Sequence, residues 1–407
     1  MTLVIDRVGR EGDGLAREAE RSVAVPFTLP GERVEPDGTP VGPPSPERVA
    51  PVCRHFGTCG NCVLQHWAAA PMLEWKRERV AAAFRRAGLV VVPEATVPVP
   101  LGSRRRVTFT AFKDGDAVLL GYHRRRSHDV FAVEECPILA PAIVDALPVL
   151  ARAAALAWRG PSQLLVTDTA NGLDVEITRG RKVSDDERRA LSRLAVEAGL
   201  ARLSVDGEVV VAPRAPVVRF GAVDVEPPPG AFLQATRPSE EAMAALVTGH
   251  LAGARRTVDL YAGAGTFALR LAGTVHAVDE APAALDALAR AAARADRDAV
   301  TTETRDLDAR PLLPGELKRF DAAVLDPPRA GAAASVAHLA YPKLALTRIA
   351  YVSCNPDTLA PDAKVLVDAG WRLTRVVPVD QFLYSAHVEA VALFERAKPK
   401  RERRLFG

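Results

Sequence analysis

The run Val258-Asp-Leu-Tyr-Ala-Gly-Ala-Gly-Thr-Phe267 constrains this chain more than any other segment, because an apolar strand enters a turn at Gly263 and Gly265 and leaves it as a helix. Glycines there let the backbone approach a ligand closely, as in dinucleotide-type folds. From residue 230 onward the rhythm stays strand, loop, helix. Strands are expected at 256–261, 274–278, 300–304, 321–325, 349–352, 373–377 and 388–394, with alanine-rich helices between most of them. Such alternation implies a mainly parallel sheet covered on both faces, so the expected class is α/β and Rossmann-like.

With 407 residues the chain is long enough for two to three domains. Proline clusters at Pro36 to Pro46 and at Pro227-Pro-Pro-Gly230 divide it into 1–48, 49–229 and 230–407. The first part has short β-like runs separated by Gly9, Gly12 and Gly14, the pattern of a small β-barrel. The second holds a Cys/His segment, a helical pattern over 68–88 and a mixture of strands with one or two helices. Apolar residues at 48% and charged residues at 25% exclude a disordered or fibrous chain. The most apolar stretch, 138–158, is broken by Pro141, Asp145, Pro148 and Arg152, so no membrane span is expected. Asp6 and Arg7 occupy the place where a secretory signal would be apolar, and a cytoplasmic location is expected.

Net charge is only +3, yet residues 76–130 carry twelve Lys/Arg against five Asp/Glu. Arg104-Arg105-Arg106 and Arg124-Arg125-Arg126 flank Val107-Thr-Phe-Thr-Ala-Phe112 and a turn at Asp114-Gly115-Asp116, which reads as a basic hairpin with interleaved aromatics. Guanidinium forks suit phosphates and base edges, so Arg104, Arg105 and Arg124 are candidate nucleic-acid contacts; a solvated charged face is the alternative. The basic run Arg396 to Arg404 reads as a solubilising tail.

The glycine turn lacks the third glycine of the dinucleotide fingerprint, Ala268 standing in its place. Asp259 precedes the glycines, Asp279 closes the next strand where a carboxylate can accept from two ribose hydroxyls, and Asp306 follows the third strand near an adenine amine. This ordered set favours S-adenosyl-L-methionine over NAD. Asp326-Pro-Pro-Arg-Ala-Gly331 and Tyr351-Val-Ser-Cys-Asn-Pro356 end the fourth and fifth strands, where an open α/β sheet places its ligands. Cys354 is therefore a candidate nucleophile, with Arg329 available to favour its thiolate. A buried, inert packing thiol is the competing reading.

These two motifs, with Phe232-Leu-Gln234 upstream and Asp380-Gln-Phe382 to His387-Val-Glu389 downstream, closely resemble the RNA uracil-5-methyltransferase family over nearly the whole chain, in particular its ribosomal-RNA branch carrying an iron–sulfur cluster. The resemblance implies a class I methyltransferase domain at 230–407, a central iron–sulfur domain at 49–229 and a TRAM/OB-like barrel at 1–48. It implies Cys354 as nucleophile and Glu389 as base. Gln234, Asp326 and Arg329 would help hold uracil or methyl donor; Tyr261, Asp279, Gly263 and Gly265 would hold the donor. RNA would be the partner, with ribosomal RNA favoured and transfer RNA the alternative, and a monomer is expected. Asp326-Pro-Pro-Arg329 lacks the cysteine that cytosine-5 enzymes carry after the fourth strand, which argues for uracil. Thr236, Pro361 and Leu383 depart from the family pattern, and the amino-terminal barrel is shorter than usual after Gly31-Glu-Arg-Val34.

Cys53, Cys59, Cys62 and the distant Cys136, followed by Pro137, meet the ligand count of a cubane cluster. Spacing alone leaves zinc open, with His55 or His66 as further ligands, and also reduced core thiols. The family resemblance favours [4Fe-4S]. Two other functions remain. One is methylation of an exocyclic base amine, because Asp-Pro-Pro is shared with such enzymes although Arg329 replaces their stacking aromatic. The other is an iron–sulfur RNA-binding protein without catalysis.

Overall fold

The computed structural model describes residues 2–397 apart from 19, 20 and 181, so most of the basic tail lies outside the described residues. Among them the strands form three large sheets. The first pairs Leu3–Val8, Gly14–Glu18, Arg21–Val25 and Arg33–Val34, all antiparallel, over a small core of Leu3, Ile5, Ala16, Val25 and Val34. Its edge strands, Arg21–Val25 and Arg33–Val34, do not pair with each other. The expected barrel is thus an open four-stranded sheet in the described residues; four short strands are too few to curl round and close.

The second sheet runs Glu208–Val211, Arg202–Val205, Gly172–Thr178, Ser162–Thr169, Arg106–Asp114, Ala117–His123, Val130–Ala132 in spatial order. It contains the expected basic hairpin. Its one parallel pair, Gly172–Thr178 with Arg202–Val205, needs a crossover, and the helix Asp185–Glu197 supplies it. That helix begins at a capping box between Ser184 and Glu187.

In the third sheet all seven expected strands are found. Spatial order is Val300–Thr304, Thr274–Asp279, Arg256–Leu260, Ala322–Leu325, Arg348–Ser353, Glu389–Glu395, Arg372–Val379. The first five are parallel; Glu389–Glu395 is antiparallel to both of its neighbours. Successive residues of one strand enter opposite cores: Ala322 and Val324 pack on one face, Ala323 and Leu325 on the other. Both faces are therefore buried, which is why the strands read as continuous apolar runs. Met243, Leu285 and Leu288 fill one core from the helices Arg237–His250 and Pro282–Arg294. Leu359 and Leu366, from Pro356–Asp368, fill the other.

The helix Ala69–Arg86, which precedes the second sheet in sequence, sends Val80, Ala83 and Phe84 into this second core. Full burial of a phenylalanine contributes about 2–3 kcal/mol, so the helix is fastened to the third sheet. Lys76, fully buried on the same helix, is salt-bridged to Asp380 and donates to the Phe382 carbonyl at 2.9 Å.

Candidate active site

Strand order reverses between Arg256–Leu260 and Ala322–Leu325, which opens a crevice at their carboxyl ends. Cys354 stands at the end of Arg348–Ser353, half-buried and reduced. Asn355 caps the following helix and donates through Nδ2 to the Arg329 carbonyl at 3.0 Å, which locks the two motifs side by side. Because Glu389–Glu395 runs antiparallel with Ser353 opposite Ala390, the next pair outward is Cys354 and Glu389. A parallel strand would have put its first residue at the far edge of the sheet.

Glu389 is buried, and its Oε2 accepts from Gln381 Nε2 at 2.9 Å. The same Gln381 amide donates to Gln234 Oε1 at 2.9 Å, and Gln234 Nε2 donates to Asp326 Oδ2 at 2.8 Å. Two carboxyls and two amides thus form one chain across the crevice. Burial raises the Glu389 carboxyl well above its usual range, and the nearby Asp326 adds to the shift. Burial likewise raises Asp326, to about 7, opposed by the Gln234 hydrogen bond. Burial, then Glu389 and Asp326, pushes the Cys354 thiol up to about 11, while Arg329 acts the other way. The pocket so places a sulfur nucleophile, a protonatable carboxyl and amide donors around one small space.

The glycine turn is equally ordered. Gly263 (φ +53°) donates from its N–H to Asp279 Oδ2 at 2.9 Å, and Asp279 Oδ1 accepts from Ala281 N–H at 2.8 Å. A Cβ at Gly265 (φ +98°) would lie 2.8 Å from Leu288, so this glycine permits close helix–sheet packing as well as the turn. Tyr261 takes a left-handed φ of +64°, a costly conformation of the kind found at ligand sites, and its hydroxyl donates to Asp308 at 3.0 Å. Asp306 lies exposed at this rim, its Oδ1 accepting from the Asp308 and Ala309 N–H groups.

Two expected contacts are corrected. Asp259 is fully buried in mid-strand, where the Ala268 N–H beyond the turn favours its carboxylate, so it supports the turn from beneath instead of touching a ligand. Burial, with Asp326 next, raises its carboxyl well above the usual range. Arg105, expected to face nucleic acid, is buried; it ion-pairs with Glu240 and donates to the Gln234 carbonyl at 3.1 Å. Successive residues of an extended segment face opposite sides, so an Arg triplet cannot present all three groups to solvent. Arg104 is half-buried, Arg124 is exposed over the Phe131 ring at 5.8 Å, and Phe232 is 70% exposed beneath Arg106. Gln381, Lys76 and Asp380 were given no role from sequence. Gln381 and Asp380 lie inside a motif already singled out, whereas nothing in the sequence pairs Lys76 with them.

Cys53, Cys59, Cys62 and Cys136 line one cavity of about 530 Å³, together with Tyr122, Pro137, Phe382, Leu383 and residues 385–387. Burial raises all four thiols, Cys62 to about 12 and Cys136 to about 11, and each is raised further by neighbouring acidic or thiol groups. Among the described residues no three His, Cys, Asp or Glu groups are placed to hold a single metal ion. His55 Nε2 accepts from the Glu134 N–H at 3.2 Å, and His66 packs against Phe27 and Phe56.

Residues 229–397 match the family model for tRNA (Uracil-5-)-methyltransferase. An uncharacterized RNA methyltransferase of Rhizobium meliloti is 47% identical, the match covering 97% of this chain and 99% of that one. The 23S rRNA (uracil(1939)-C(5))-methyltransferase RlmD of Edwardsiella ictaluri is 32% identical over 95% of this chain and 93% of its own. A Pyrococcus abyssi tRNA (uracil-54, C5)-methyltransferase crystallised with S-adenosyl-L-homocysteine shares the fold, with a TM-score of 0.72 at 23% identity, covering 97% of this chain and 100% of that one. Full-length identity at this level, on a sheet that brings the two signature motifs together, means that the chain belongs to the RNA uracil-5-methyltransferase family.

Proposed function

We propose that this protein methylates carbon 5 of a uridine in 23S rRNA, using Cys354 as nucleophile and Glu389 as base. The register that sets Glu389 beside Cys354 carries the reading, and the relative named as a 23S rRNA uracil-C5 enzyme supports the substrate. Carbon 5 of uracil is too weak a nucleophile to take a methyl group unaided. The Cys354 thiol loses its proton to water and the sulfur adds to carbon 6; the ring's electron pair moves to carbon 5. S-adenosyl-L-methionine, when bound, supplies the electrophilic methyl group. Tyr261, Gly263, Gly265, Asp279 and Asp306 line the side of the crevice suited to it. Glu389, as carboxylate, then takes the proton from carbon 5, and the carbon–sulfur bond breaks to release the thiolate. Gln381 orients Glu389, and Gln234 with Asp326 offers the amide and carboxyl groups that suit a uracil edge. The ring must be unpaired or flipped to enter.

The proposed division 1–48, 49–229 and 230–407 is supported by one large sheet in each part, while the helix Ala69–Arg86 and the hairpin of Val218–Phe220 with Val223–Val225 pack with the last part. Four thiols around one cavity meet the ligand count of a [4Fe-4S] cluster, which the family resemblance favours over one zinc ion. Cys53, Cys59, Cys62 and Cys136 would hold it as thiolates, and its contribution would be structural.

Cys354→Ala is expected to abolish formation of 5-methyluridine while donor binding persists, and RNA containing 5-fluorouridine should trap a covalent adduct at Cys354. Turnover by the variant, or an adduct mapped to another residue, would refute the mechanism. A methyl group located on an exocyclic nitrogen by mass spectrometry would favour the amine-directed alternative.

A further inference from the structure

Four guanidinium groups from three distant parts of the chain gather at the amino end of the helix Pro356–Asp368, three residues past Cys354. Arg10 comes from the loop after Leu3–Val8, Arg79 and Arg86 from the helix Ala69–Arg86, and Arg329 from the loop after Ala322–Leu325. Arg10 Nη2 lies 2.5 Å from one oxygen of Asp357 and Arg86 Nη2 lies 2.6 Å from the other. Arg79 rests over the Trp75 ring at 5.2 Å, within electrostatic reach of Asp357, Arg10, Glu11 and Arg86. Arg329 and Arg79 both act on His387, two residues before Glu389, which ties the patch to the segment that carries Glu389.

Stability does not explain this gathering. The Arg10 and Arg86 side chains are 60% and 55% exposed, and ion pairs so open to water contribute about 0–1 kcal/mol. Asp357 and Glu11 are the carboxylates facing the four cations, so positive charge is in excess. Arg79 Nη1 is covered by protein and has no acceptor, although a buried unpaired donor costs about 1–3 kcal/mol. Forked donors at the surface near Cys354, two of them sharing the Asp357 carboxylate, suit a chain of anionic, bidentate acceptors, and phosphodiesters have that form.

We propose that Arg10, Arg79, Arg86 and Arg329 form a docking patch for the phosphodiester backbone next to the target uridine, with Asp357 holding Arg10 and Arg86 as an internal counterion that phosphate displaces. The inference rests on the RNA reading above and extends it: the amino-terminal sheet enters the site through Arg10, and the helix Ala69–Arg86 lines the RNA path.

The test is binding of a fluorescein-labelled, uridine-containing single-stranded RNA to the full chain across a potassium chloride series. Arg10→Ala with Arg86→Ala should weaken binding by about tenfold or more at low salt and reduce the salt slope by about 1.4, as expected when two single-strand phosphate contacts are lost. Arg10→Lys with Arg86→Lys, which keeps the charges, should retain the slope. Asp357→Asn should tighten binding several-fold, since it removes the competitor. An unchanged affinity and slope in the double alanine variant would overturn the patch, as would weaker binding by Asp357→Asn. Wild-type protein that binds with the full slope yet forms no 5-methyluridine on 23S rRNA would sink the catalytic reading and leave the patch standing.

Discussion

At Cys354 the reactive sulfur stands next to two groups that oppose its ionisation and one that favours it. A thiol raised to about 11 is almost wholly protonated at neutral pH, so its thiolate fraction should grow about tenfold per pH unit below that value. Alkylation of Cys354 by iodoacetamide is expected to follow this slope. Glu389 raises the thiol, so Glu389→Gln should speed alkylation at fixed pH while eliminating turnover. Arg329 lowers it, so Arg329→Gln should slow alkylation. A Glu389→Gln variant alkylated more slowly than wild type would show that the carboxyl does not act on the sulfur. The sequence offered Cys354, Asp326 and Glu389 as separate motif members. Gln381 could not be read as their link, because a hydrogen-bond chain between residues 147 positions apart exists only after folding.

Among the elements, the reversed last strand decides the site. Its direction delivers Glu389 to the same edge as Cys354, and the segment before it is held by Lys76. Val63 and Leu64 N–H groups also donate to the Tyr384 carbonyl, at 2.8 and 3.0 Å, so the cysteine segment grips the loop that leads to Glu389. Lys76 and Asp380 are both buried, and breaking such a pair from one side costs about 3–5 kcal/mol. Lys76→Met should lower stability by that order in chemical denaturation. Adding Asp380→Leu should recover much of the loss, because no lone charge then stays buried. Full stability in the single variant would mean that the pair anchors nothing. Thr236, a departure from the family pattern, still caps the helix Arg237–His250 by accepting from the Ser239 N–H at 3.1 Å, so this change costs little.

Across the molecule the three sheets meet through arginines. Arg125 and Arg126 of the central hairpin both pair with Asp13 of the amino-terminal sheet, and Arg105 joins the central sheet to Glu240 of the catalytic part. The cysteine cavity lies at this junction, lined by residues of both the hairpin and the catalytic loop. Anaerobically purified protein should therefore be brown, and loss of iron should loosen the whole assembly, seen as a lower thermal midpoint. A colourless, zinc-loaded preparation of full stability would overturn the cluster. Four protonated thiols must lose their protons to become ligands, so reconstitution should release acid and proceed faster as pH rises.

The sequence by itself determined the third sheet, since its strands recur in a local rhythm with helices between most of them, and the central ones are short apolar runs. It also picked out the candidate site residues, because motif residues at strand ends are named by their neighbours in the chain. Only the tertiary structure decided which of those residues touch. That the helix Ala69–Arg86 belongs with the catalytic core, that Arg105 is a buried strut and that Asp259 hides beneath the turn all depend on which face meets which neighbour. Linear patterning gives the face of an element but not its partner, and burial of a charged side chain is settled only by the counter-charge that folding brings to it.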